Sequence, residues 1–355
     1  MRIALIGDGR SPHLLKWAGA LTAVPDVDLW AASSREFLPG FDAVVDPSKR
    51  LALGTQASHA GGNIGVLRTL PRLALWLRRV DADWLHAHYL TSHGTLAMLA
   101  RHVFRVRGRL VGSAWGSDIL LTPERSAAIQ WLTRRVLHDC LLTTSDSAHM
   151  ARRMRELGAR EVMTFPLGLD ALPPEPGAKQ PWRFYANRAL EPLYRPERVL
   201  DLFAPIAMAL PEAQLVFAHD GSLRGSLEQR VRNRGMERQV RFVGHLDAAS
   251  QAREYAQAQW YVSQPQSDSI AVSVLEAMAQ GCIPILSDLP ANRELVRDGS
   301  NGLIVPEGVP LDAVRIRDLL DRARAVAREN RAWVAQHALF APAVERFVAR
   351  LRELA

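Results

Sequence analysis

A chain of 355 residues, of which 48% are hydrophobic and 23% charged, has the size and composition of a soluble globular protein with two domains. It holds no apolar run of the roughly 18 residues that a membrane-spanning helix needs, and its first residues lack a signal-peptide pattern. The net charge of +7 favours anionic partners, but the arginines are not interleaved with aromatic residues, which disfavours nucleic acid. The two cysteines are interpreted as buried free thiols, and the cytosol is the expected compartment.

The first half of the chain alternates predicted strands with predicted helices, which indicates a doubly wound parallel sheet. The glycine turn at residues 7–9 opens a helix but lacks the third glycine of a dinucleotide fingerprint, so a dehydrogenase is disfavoured. The basic segment 66–80 is predicted to be an ordinary surface helix with its leucines inward, and contact with a membrane surface is the alternative. The predicted strands are Arg2–Gly7, 28–32, 42–45, 83–88, 109–113, 141–145 and 161–165.

Four prolines between residues 168 and 181 interrupt the pattern, because proline sustains neither a helix interior nor a central strand. This segment is predicted to be an interdomain hinge. The alternation then restarts, so the sequence predicts an α/β protein of two Rossmann-like halves with a ligand site in the cleft between them. The tryptophans at helical spacing among apolar neighbours are predicted core residues, namely Trp76, Trp131 and Trp333. The second set of strands is 182–187, 213–218, 239–243, 260–263, 284–287 and 302–305.

The stretch from Tyr261 to Pro306 carries the most information about function. It is predicted to contain a buried strand, an acidic loop with Asp268, a short helix with Glu276, and a second strand. Main-chain N–H groups at the start of that helix would be free to bind a diphosphate. Carboxylates that bind sugar hydroxyls, next to amides that bind phosphate, predict a nucleotide-sugar pocket. The residues expected to present these amides are Ser269, Ile270, Ala271 and Val272.

The helix segment from Glu276 to Ala279, followed by Gly281 and Pro284, resembles the donor-binding motif of the family 4 retaining glycosyltransferases. That family has two glutamates separated by seven residues, and Asp268 stands here at the first. The resemblance implies the GT-B fold, in which residues 1–170 and 171–340 form two Rossmann-like doubly wound domains facing a central cleft. It also implies that the helix at 341–355 crosses back onto the first domain. In such an enzyme Glu276 binds ribose hydroxyls, and the Asp268 position contacts the donor sugar.

The start of the second domain supplies the phosphate-binding candidates. Arg188 ends a predicted strand, where a cation could neutralise the donor diphosphate as the glycosyl bond breaks. The family has an arginine here and a lysine several residues later, and Arg195 is the candidate substitute because arginine binds phosphate bidentately. The resemblance puts Gly244 where the backbone passes the nucleobase. The expected donor is a UDP-sugar or a GDP-sugar, with no cofactor and no obligatory metal.

The first domain supplies weaker candidates. The segment ending in Asp118 resembles a family stretch with the pattern His-Gly-x-Asp, but Trp115 replaces the histidine. Asp118 is interpreted either as an acceptor-side residue or as a helix cap. The resemblance places the Gly9 loop beside the donor phosphate or the acceptor. His88 shares a strand face with His86, and an acceptor contact by His88 is preferred to a metal site because no third ligand stands nearby.

The sequence thus predicts a retaining glycosyltransferase that moves a sugar from a nucleoside-diphosphate sugar to a saccharide or lipid-linked acceptor hydroxyl. Polysaccharide or glycoconjugate assembly is the expected setting, in the cytoplasm or at the inner face of a membrane. Two alternatives remain open. One is a nucleotide-sugar epimerase on the same scaffold, and the other is a catalytically silent homologue that acts as a partner subunit. The replacements at Trp115 and Asp268 keep the silent homologue under consideration.

Overall fold

The computed structural model describes residues 1–55 and 67–355, and these form two compact units. Unit 1 comprises Met1–Leu167 together with Phe340–Ala355, and unit 2 comprises Gly168–Leu339. The chain therefore leaves unit 1 once and returns to it for the last helix. Among the described residues, no helix combines the length and the apolar character needed to cross a membrane.

Unit 1 is built on a parallel sheet of seven strands in the order β3-β2-β1-β4-β5-β6-β7. The strand order reverses between β1 and β4, which pair directly, so the loops after these two strands flank a topological switch point. The strands are β1 (Arg2–Gly7), β2 (Asp28–Ser33), β3 (Arg50–Ala52), β4 (Trp84–His88), β5 (Arg109–Ser113), β6 (Leu142–Ser145) and β7 (Val162–Thr164).

Helices cover both faces of this sheet because alternate strand residues point to opposite sides. Ile3 and Leu5 of β1 face a core that includes Trp17 and Phe347, whereas Ala4 and Ile6 face the other core. The first face is covered by α1 (Pro12–Ala23) and by the last helix, Phe340–Glu353. The second face is covered by α2 (Leu70–Val80), α3 (Thr95–Phe104), α5 (Ala127–Asp139) and α6 (Ala148–Glu156), while the short α4 (Ser117–Leu120) follows β5.

The strand predicted at residues 42–45 is wrong. The chain instead forms a 3-10 helix at Pro39–Ala43, and the edge strand is β3 at residues 50–52. Phe41 and Val45 are both buried, and the amide of Val45 donates to the carbonyl of Phe41 at 2.9 Å. A main-chain bond from residue i to residue i−4 belongs to a helical turn, whereas a strand would bond to a neighbouring strand.

Trp131 corrects a second expectation. Trp76 and Trp333 pack against the cores, but Trp131 lies on the outer side of α5 with 59% of its surface exposed. Of segment 66–80, Val66 lies outside the described residues, and the remainder contains α2 with Leu73 and Leu77 buried.

Unit 2 is built on a second parallel sheet, in the order β10-β9-β8-β11-β12-β13. Its strand order reverses between β8 and β11, which makes the loops after these strands the second switch point. The strands are β8 (Gln180–Ala186), β9 (Gln214–Phe217), β10 (Val240–Phe242), β11 (Ala258–Ser263), β12 (Ile283–Ser287) and β13 (Leu303–Val305). The helices are α7 (Pro196–Ala209), α8 (Arg224–Asn233), α9 (Ala248–Gln257), α10 (Val272–Ala279), α11 (Asn292–Leu295), α12 (Ala313–Asp321) and α13 (Ala323–His337), and the last helix of unit 1 is α14.

The predicted hinge at 168–181 ends too late by two residues, because β8 begins at Gln180 and contains Pro181. Proline is tolerated there because the pairing of β8 with β11 shifts register between Ala258 and Trp260. The indole N–H of Trp260 donates to the carbonyl of Pro181 at 2.8 Å. A central strand therefore accommodates the proline at an irregularity of its ladder.

Candidate functional site

Arg188 and Asp268 meet at the switch point of unit 2. Arg188 follows β8 and Asp268 follows β11, and these strands are neighbours in the sheet. The guanidinium of Arg188 lies 2.7 Å from Asp268 Oδ2, and the two side chains are 18% and 22% exposed. Parallel topology thus joins an arginine and an aspartate that are eighty positions apart in sequence.

The surroundings of this pair are aromatic and largely buried. The guanidinium of Arg188 lies over the ring of Tyr194 at 4.4 Å from its centre, a cation–π contact. Burial alone would lower the pKa of Arg188, but the neighbouring carboxylate of Asp268 raises it well above its ordinary value. Burial raises the pKa of Asp268, although Arg188 opposes the rise. Arg188 is therefore a permanently charged group in a partly desolvated place.

Arg195 has a different role in this arrangement. Its guanidinium donates to the carbonyls of Gln264 at 3.0 Å and Pro265 at 3.1 Å, and it forms an ion pair with Glu307. The residue itself adopts a left-handed conformation with φ of 45°. Arg195 consequently ties down the loop that leads to Asp268, and the predicted phosphate contact would require these bonds to break.

The helix α10 begins without a capping side chain. Its N-cap is Ala271, and within the described residues no acceptor takes the main-chain N–H groups of Val272 and Ser273. The amide of Ser269 differs, because it donates to the Asp268 carboxylate at 3.0 Å. Two uncapped amides and the positive end of the helix dipole suit an anion. Of the four residues predicted to present amides, Ser269 has its N–H taken, whereas Ile270, Ala271 and Val272 form the opening of the helix.

Glu276 lies one turn into α10 and is held by a network of hydroxyl groups. The Tyr255 hydroxyl donates to Glu276 Oε2 at 2.9 Å and accepts from Asn187 Nδ2 at 2.8 Å. The Tyr261 hydroxyl lies 2.8 Å from both Asn187 Oδ1 and Ser273 Oγ. Burial raises the pKa of Tyr255 and of Tyr261, so both hydroxyls stay protonated at neutral pH. Such a network fixes the carboxylate of Glu276 in one orientation.

A pocket of about 240 Å³ opens beside Glu276 within unit 2. Its wall combines small apolar residues with the amide side chains of two glutamines, and Gln251 also accepts from Asn187 at 2.7 Å. Gly244 lies in the loop after β10, where its φ of 71° favours glycine. The lining residues of the pocket are Leu169, Ala171, Pro173, Ala248, Gln251, Ala252, Tyr255, Glu276 and Gln280.

The Gly9 loop follows β1 at the switch point of unit 1. The amide of Gly9 donates to Ser33 Oγ at 2.7 Å, and a side-chain carbon at this position would stand 2.7 Å from Ser33 Oγ and 2.8 Å from the carbonyl oxygen of Glu36. Only glycine fits there. The neighbouring carboxylate of Asp8 is held by Arg35, and although burial alone would raise the pKa of Asp8, this pairing lowers it.

Asp118, which the sequence left open as an acceptor-side residue or a helix cap, lies in the core of unit 1. The side chain is fully buried, and its two oxygens accept the amides of Trp115 at 2.9 Å and Leu90 at 2.8 Å. Burial raises the pKa of Asp118 to about 6 against these hydrogen bonds. Asp118 therefore links the loops after β4 and β5, a role closer to the predicted cap than to a substrate contact.

His88, the predicted acceptor contact, is also buried. Its ring is fully buried, 5.3 Å from the ring of Trp17 and 4.3 Å from that of His86. The indole N–H of Trp115 donates to His88 Nδ1 at 3.1 Å, and burial holds the pKa of His88 well below its ordinary value. The ring is a neutral core group behind Trp115, so it does not reach an acceptor in this arrangement. No group of three potential ligands that could hold a metal ion occurs among the described residues.

Sequence reasoning missed four residues of the site, namely Asn187, Tyr194, Tyr255 and Tyr261. Asn187 directly precedes Arg188, and Tyr194 stands next to Arg195, so both were within reach of the motif. Tyr255 and Tyr261 gave no signal, because an aromatic residue in a helix or a buried strand normally indicates core packing.

Comparisons with known proteins match both halves of the chain. The family model "Glycosyl transferase 4-like" matches residues 2–147, and "Glycosyl transferases group 1" matches residues 173–332. A phosphatidyl-myo-inositol mannosyltransferase of Mycobacterium tuberculosis (strain ATCC 25618 / H37Rv) is 27% identical over 275 residues, which cover 72% of this chain and 69% of that protein. A glycogen synthase of the same organism is 28% identical over 291 residues, with coverage of 74% and 67%.

Solved structures match the fold across the whole chain. Anabaena HepE in complex with UDP-glucose superposes with a TM-score of 0.76 at 15% identity, and sucrose-phosphate synthase from Thermosynechococcus elongatus with 0.76 at 17% identity. Each comparison covers 100% of both chains. At this identity the superpositions establish the architecture alone.

Proposed function

Because this chain belongs to the group 1 glycosyl transferases and has their GT-B fold, we propose that it transfers a sugar from a nucleoside-diphosphate sugar to an acceptor hydroxyl with retention of anomeric configuration. One observation carries the proposal. The partly buried ion pair of Arg188 and Asp268 follows neighbouring strands of unit 2, and α10, which follows Asp268 in sequence, has an uncapped start and contains Glu276.

Each residue has a defined task in this proposal. Arg188 and the amides at Val272 and Ser273 bind the donor diphosphate and stabilise the charge that develops on it. Glu276, oriented by Tyr255, accepts hydrogen bonds from the ribose hydroxyls. Asp268 accepts hydrogen bonds from hydroxyls of the donor sugar. To do so, its carboxylate gives up part of its contact with Arg188. Arg195 holds the loop that carries Asp268 and stays away from the phosphate.

The proposed reaction breaks the bond between the anomeric carbon and the donor phosphate oxygen. The acceptor oxygen forms its bond to the same face of that carbon, and its proton passes to the departing phosphate. No basic side chain is then required, which agrees with the burial of His88 and Asp118. Fixed cationic and amide donors account for about a hundred- to a thousandfold in rate for each donor in such a site.

The acceptor proposed is a saccharide or a lipid-linked hydroxyl, in the assembly of a polysaccharide or glycoconjugate. The names of the relatives span these two chemistries, a phosphatidylinositol mannosyltransferase and a glycogen synthase. The proposed place of action is the cytoplasm, with peripheral contact to the inner face of a membrane. The donor proposed first is a UDP-sugar, since HepE was solved with UDP-glucose, and a GDP-sugar is the second choice.

A donor panel tests the proposal. We expect UDP or GDP to raise the melting temperature of the purified chain, because a ligand that binds only the folded state stabilises it. The matching sugar nucleotide should be turned over to the free nucleoside diphosphate in the presence of acceptor. Glu276→Gln should weaken both effects, while Glu237→Gln, at an exposed position after α8, should change neither.

Three outcomes contradict the proposal. Release of an isomerised sugar nucleotide without acceptor would identify an epimerase. Binding of a nucleoside diphosphate with no turnover against any acceptor would identify a silent partner subunit. A melting temperature unchanged by every nucleoside diphosphate would remove the donor site itself.

A further inference from the structure

One face of unit 1 concentrates the positive charge of the chain. The helices α2, α3, α5 and α6 all pack on the same side of the seven-stranded sheet. With their flanking residues they span 67–80, 95–107, 127–139 and 148–160, and the only acidic residues in these four segments are Asp139 and Glu156. The segments contain thirteen arginines, at positions 68, 72, 78, 79, 101, 105, 107, 134, 135, 152, 153, 155 and 160.

The two acidic residues of these segments already contact cations of the same segments, and Arg153 also forms an ion pair with Glu124, which precedes α5. Asp139 lies 2.6 Å from the guanidinium of Arg101 and 3.0 Å from the ring of His102. Glu156 lies 3.1 Å from Arg153. Most of the remaining arginines are exposed. The whole chain has a net charge of only +7, so this face holds more positive charge than the molecule as a whole.

The same face holds the exposed large apolar side chains of unit 1. Within the described part of that unit they are Leu67, Leu75, Val103 and Trp131, which are 43%, 51%, 63% and 59% exposed. The opposite face, covered by α1 and α14, has none among the residues that the structure describes. The part of each side chain that remains in water adds nothing to the hydrophobic stabilisation of the fold and is available to a partner.

Charge and apolar surface alternate at helical spacing. On α2, Leu75 lies between Arg72 and Arg79, which are three and four positions away and share its side of the helix. On α5, Trp131 is followed at three and four positions by Arg134 and Arg135, and the guanidinium of Arg135 lies 5.5 Å from the Trp131 ring centre.

We propose that this face of unit 1 docks on an anionic phospholipid bilayer, with Trp131, Leu75 and Val103 entering the headgroup region and the arginines binding lipid phosphates. Arginine is a bidentate ligand of phosphate, and tryptophan prefers the boundary between headgroups and acyl chains. Aliphatic side chains such as Leu75 and Val103 gain nothing against a nucleic-acid backbone, but they gain by leaving water for lipid. The inference does not depend on the proposed glycosyl transfer.

Vesicle binding by the full chain tests this docking surface. We expect cosedimentation with vesicles of phosphatidylcholine and phosphatidylglycerol, little with phosphatidylcholine alone, and release at high salt. The double variant Arg134→Glu, Arg135→Glu should bind at least about 25-fold more weakly, since each basic residue near an anionic surface contributes about fivefold. Arg230→Glu, Arg232→Glu on exposed α8 of unit 2 makes the same change in charge and should bind as the unmodified chain does.

Fluorescence distinguishes insertion from simple charge attraction. Phospholipids with brominated acyl chains should quench tryptophan emission, and Trp131→Phe should abolish most of this quenching. Met208→Ala, at an 86% exposed apolar residue of unit 2, should leave the quenching unchanged. Unchanged melting temperatures would show that each variant is folded.

Four results would overturn the inference: equal binding to neutral and anionic vesicles, equal loss in the α5 and α8 double variants, quenching that survives Trp131→Phe, or tighter binding to duplex RNA than to anionic vesicles. The last result would assign the arginines to a nucleic acid.

Discussion

The ion pair of Arg188 and Asp268 allows catalysis to be separated from stability by a double-mutant cycle. Removing Arg188 alone leaves a carboxylate that is only 22% exposed without its cation. An unpaired buried charge costs about 3–5 kcal/mol, and the remaining exposure reduces this to roughly 1–3 kcal/mol here. We therefore expect Arg188→Ala to lower the free energy of unfolding by about that amount. In the double variant with Asp268→Asn, most of this loss should return, because no charge is left unpaired.

Unlike stability, turnover should not recover in the double variant. If Arg188 stabilises the leaving diphosphate, Arg188→Ala loses about a hundred- to a thousandfold in kcat, which corresponds to about 2.7–4 kcal/mol of transition-state stabilisation. The double variant regains stability but lacks both the cation and the carboxylate proposed to bind the donor sugar, so its kcat should be no higher than that of Arg188→Ala. The measurements are urea unfolding and the release of nucleoside diphosphate from the preferred donor.

A matched buried pair supplies the control. Arg183 lies on β8, the strand that Arg188 follows, and its guanidinium is 2.6 Å from Glu254, with the two side chains 7% and 16% exposed. Arg183→Ala with Glu254→Gln should show the same recovery of stability, and its kcat should stay within a few-fold of the unmodified chain throughout. A kcat restored to within tenfold in the Arg188→Ala, Asp268→Asn variant would refute the reasoning, since Arg188 would then act only by neutralising Asp268.

Three further predictions follow from single contacts. Tyr255→Phe removes the hydroxyl that orients Glu276, so the KM for the donor should rise about fivefold, as expected for the loss of one hydrogen bond, with a smaller change in kcat. An unchanged KM would contradict the proposed role of the hydroxyl network. Gly9→Ala forces a carbon into contact with Ser33 and the Glu36 carbonyl, so the free energy of unfolding should fall by about 1–3 kcal/mol in urea titrations. The control Gly19→Ala in α1, where an added carbon meets nothing within 4 Å, should not lower the free energy of unfolding. Burial lowers the pKa of His93 from 6.5 to about 4, so the folded state resists a proton that the unfolded chain accepts. The stability that neutral His93 contributes is therefore fully present above pH 6.5 and is lost as the pH falls towards 4. The melting temperature of His93→Gln should depend less on pH across that window than the melting temperature of the unmodified chain.

The sequence predicted the sheets well because their signal is local. Buried strands such as β1 and β11 appear as short apolar runs, and their alternation with helices predicted parallel sheets. Glu276 was found because its neighbours form a long motif. The edge strand β3 was missed because it is three residues long and none of its residues is fully buried, so it has no apolar pattern to detect.

The contacts between side chains were not predictable in the same way. The motif named Arg188 and Asp268 separately, but their ion pair depends on β8 and β11 being neighbours, which is a property of strand order. His88 was preferred as an acceptor contact because it ends a strand, and Asp118 was a candidate for the acceptor side or a helix cap because its segment follows a strand at the same edge of the sheet. That argument fixes where a backbone ends and says nothing about whether the side chain turns into the core, as both do here.

The closeness of Arg188 to Asp268 also explains how an aspartate can stand where the resembled family has a glutamate. The carboxylate already reaches the guanidinium at 2.7 Å, so the shorter side chain still neutralises the cation in the absence of donor. A donor diphosphate would bring negative charge next to Asp268, whose pKa burial already raises. Either the carboxylate then turns from Arg188 to the sugar hydroxyls or it takes up a proton, and both changes leave Arg188 free for the phosphate. Breaking the ion pair therefore costs only part of its interaction free energy when the donor binds. Before the donor arrives, the pair keeps the partly buried charge of Arg188 from being unpaired.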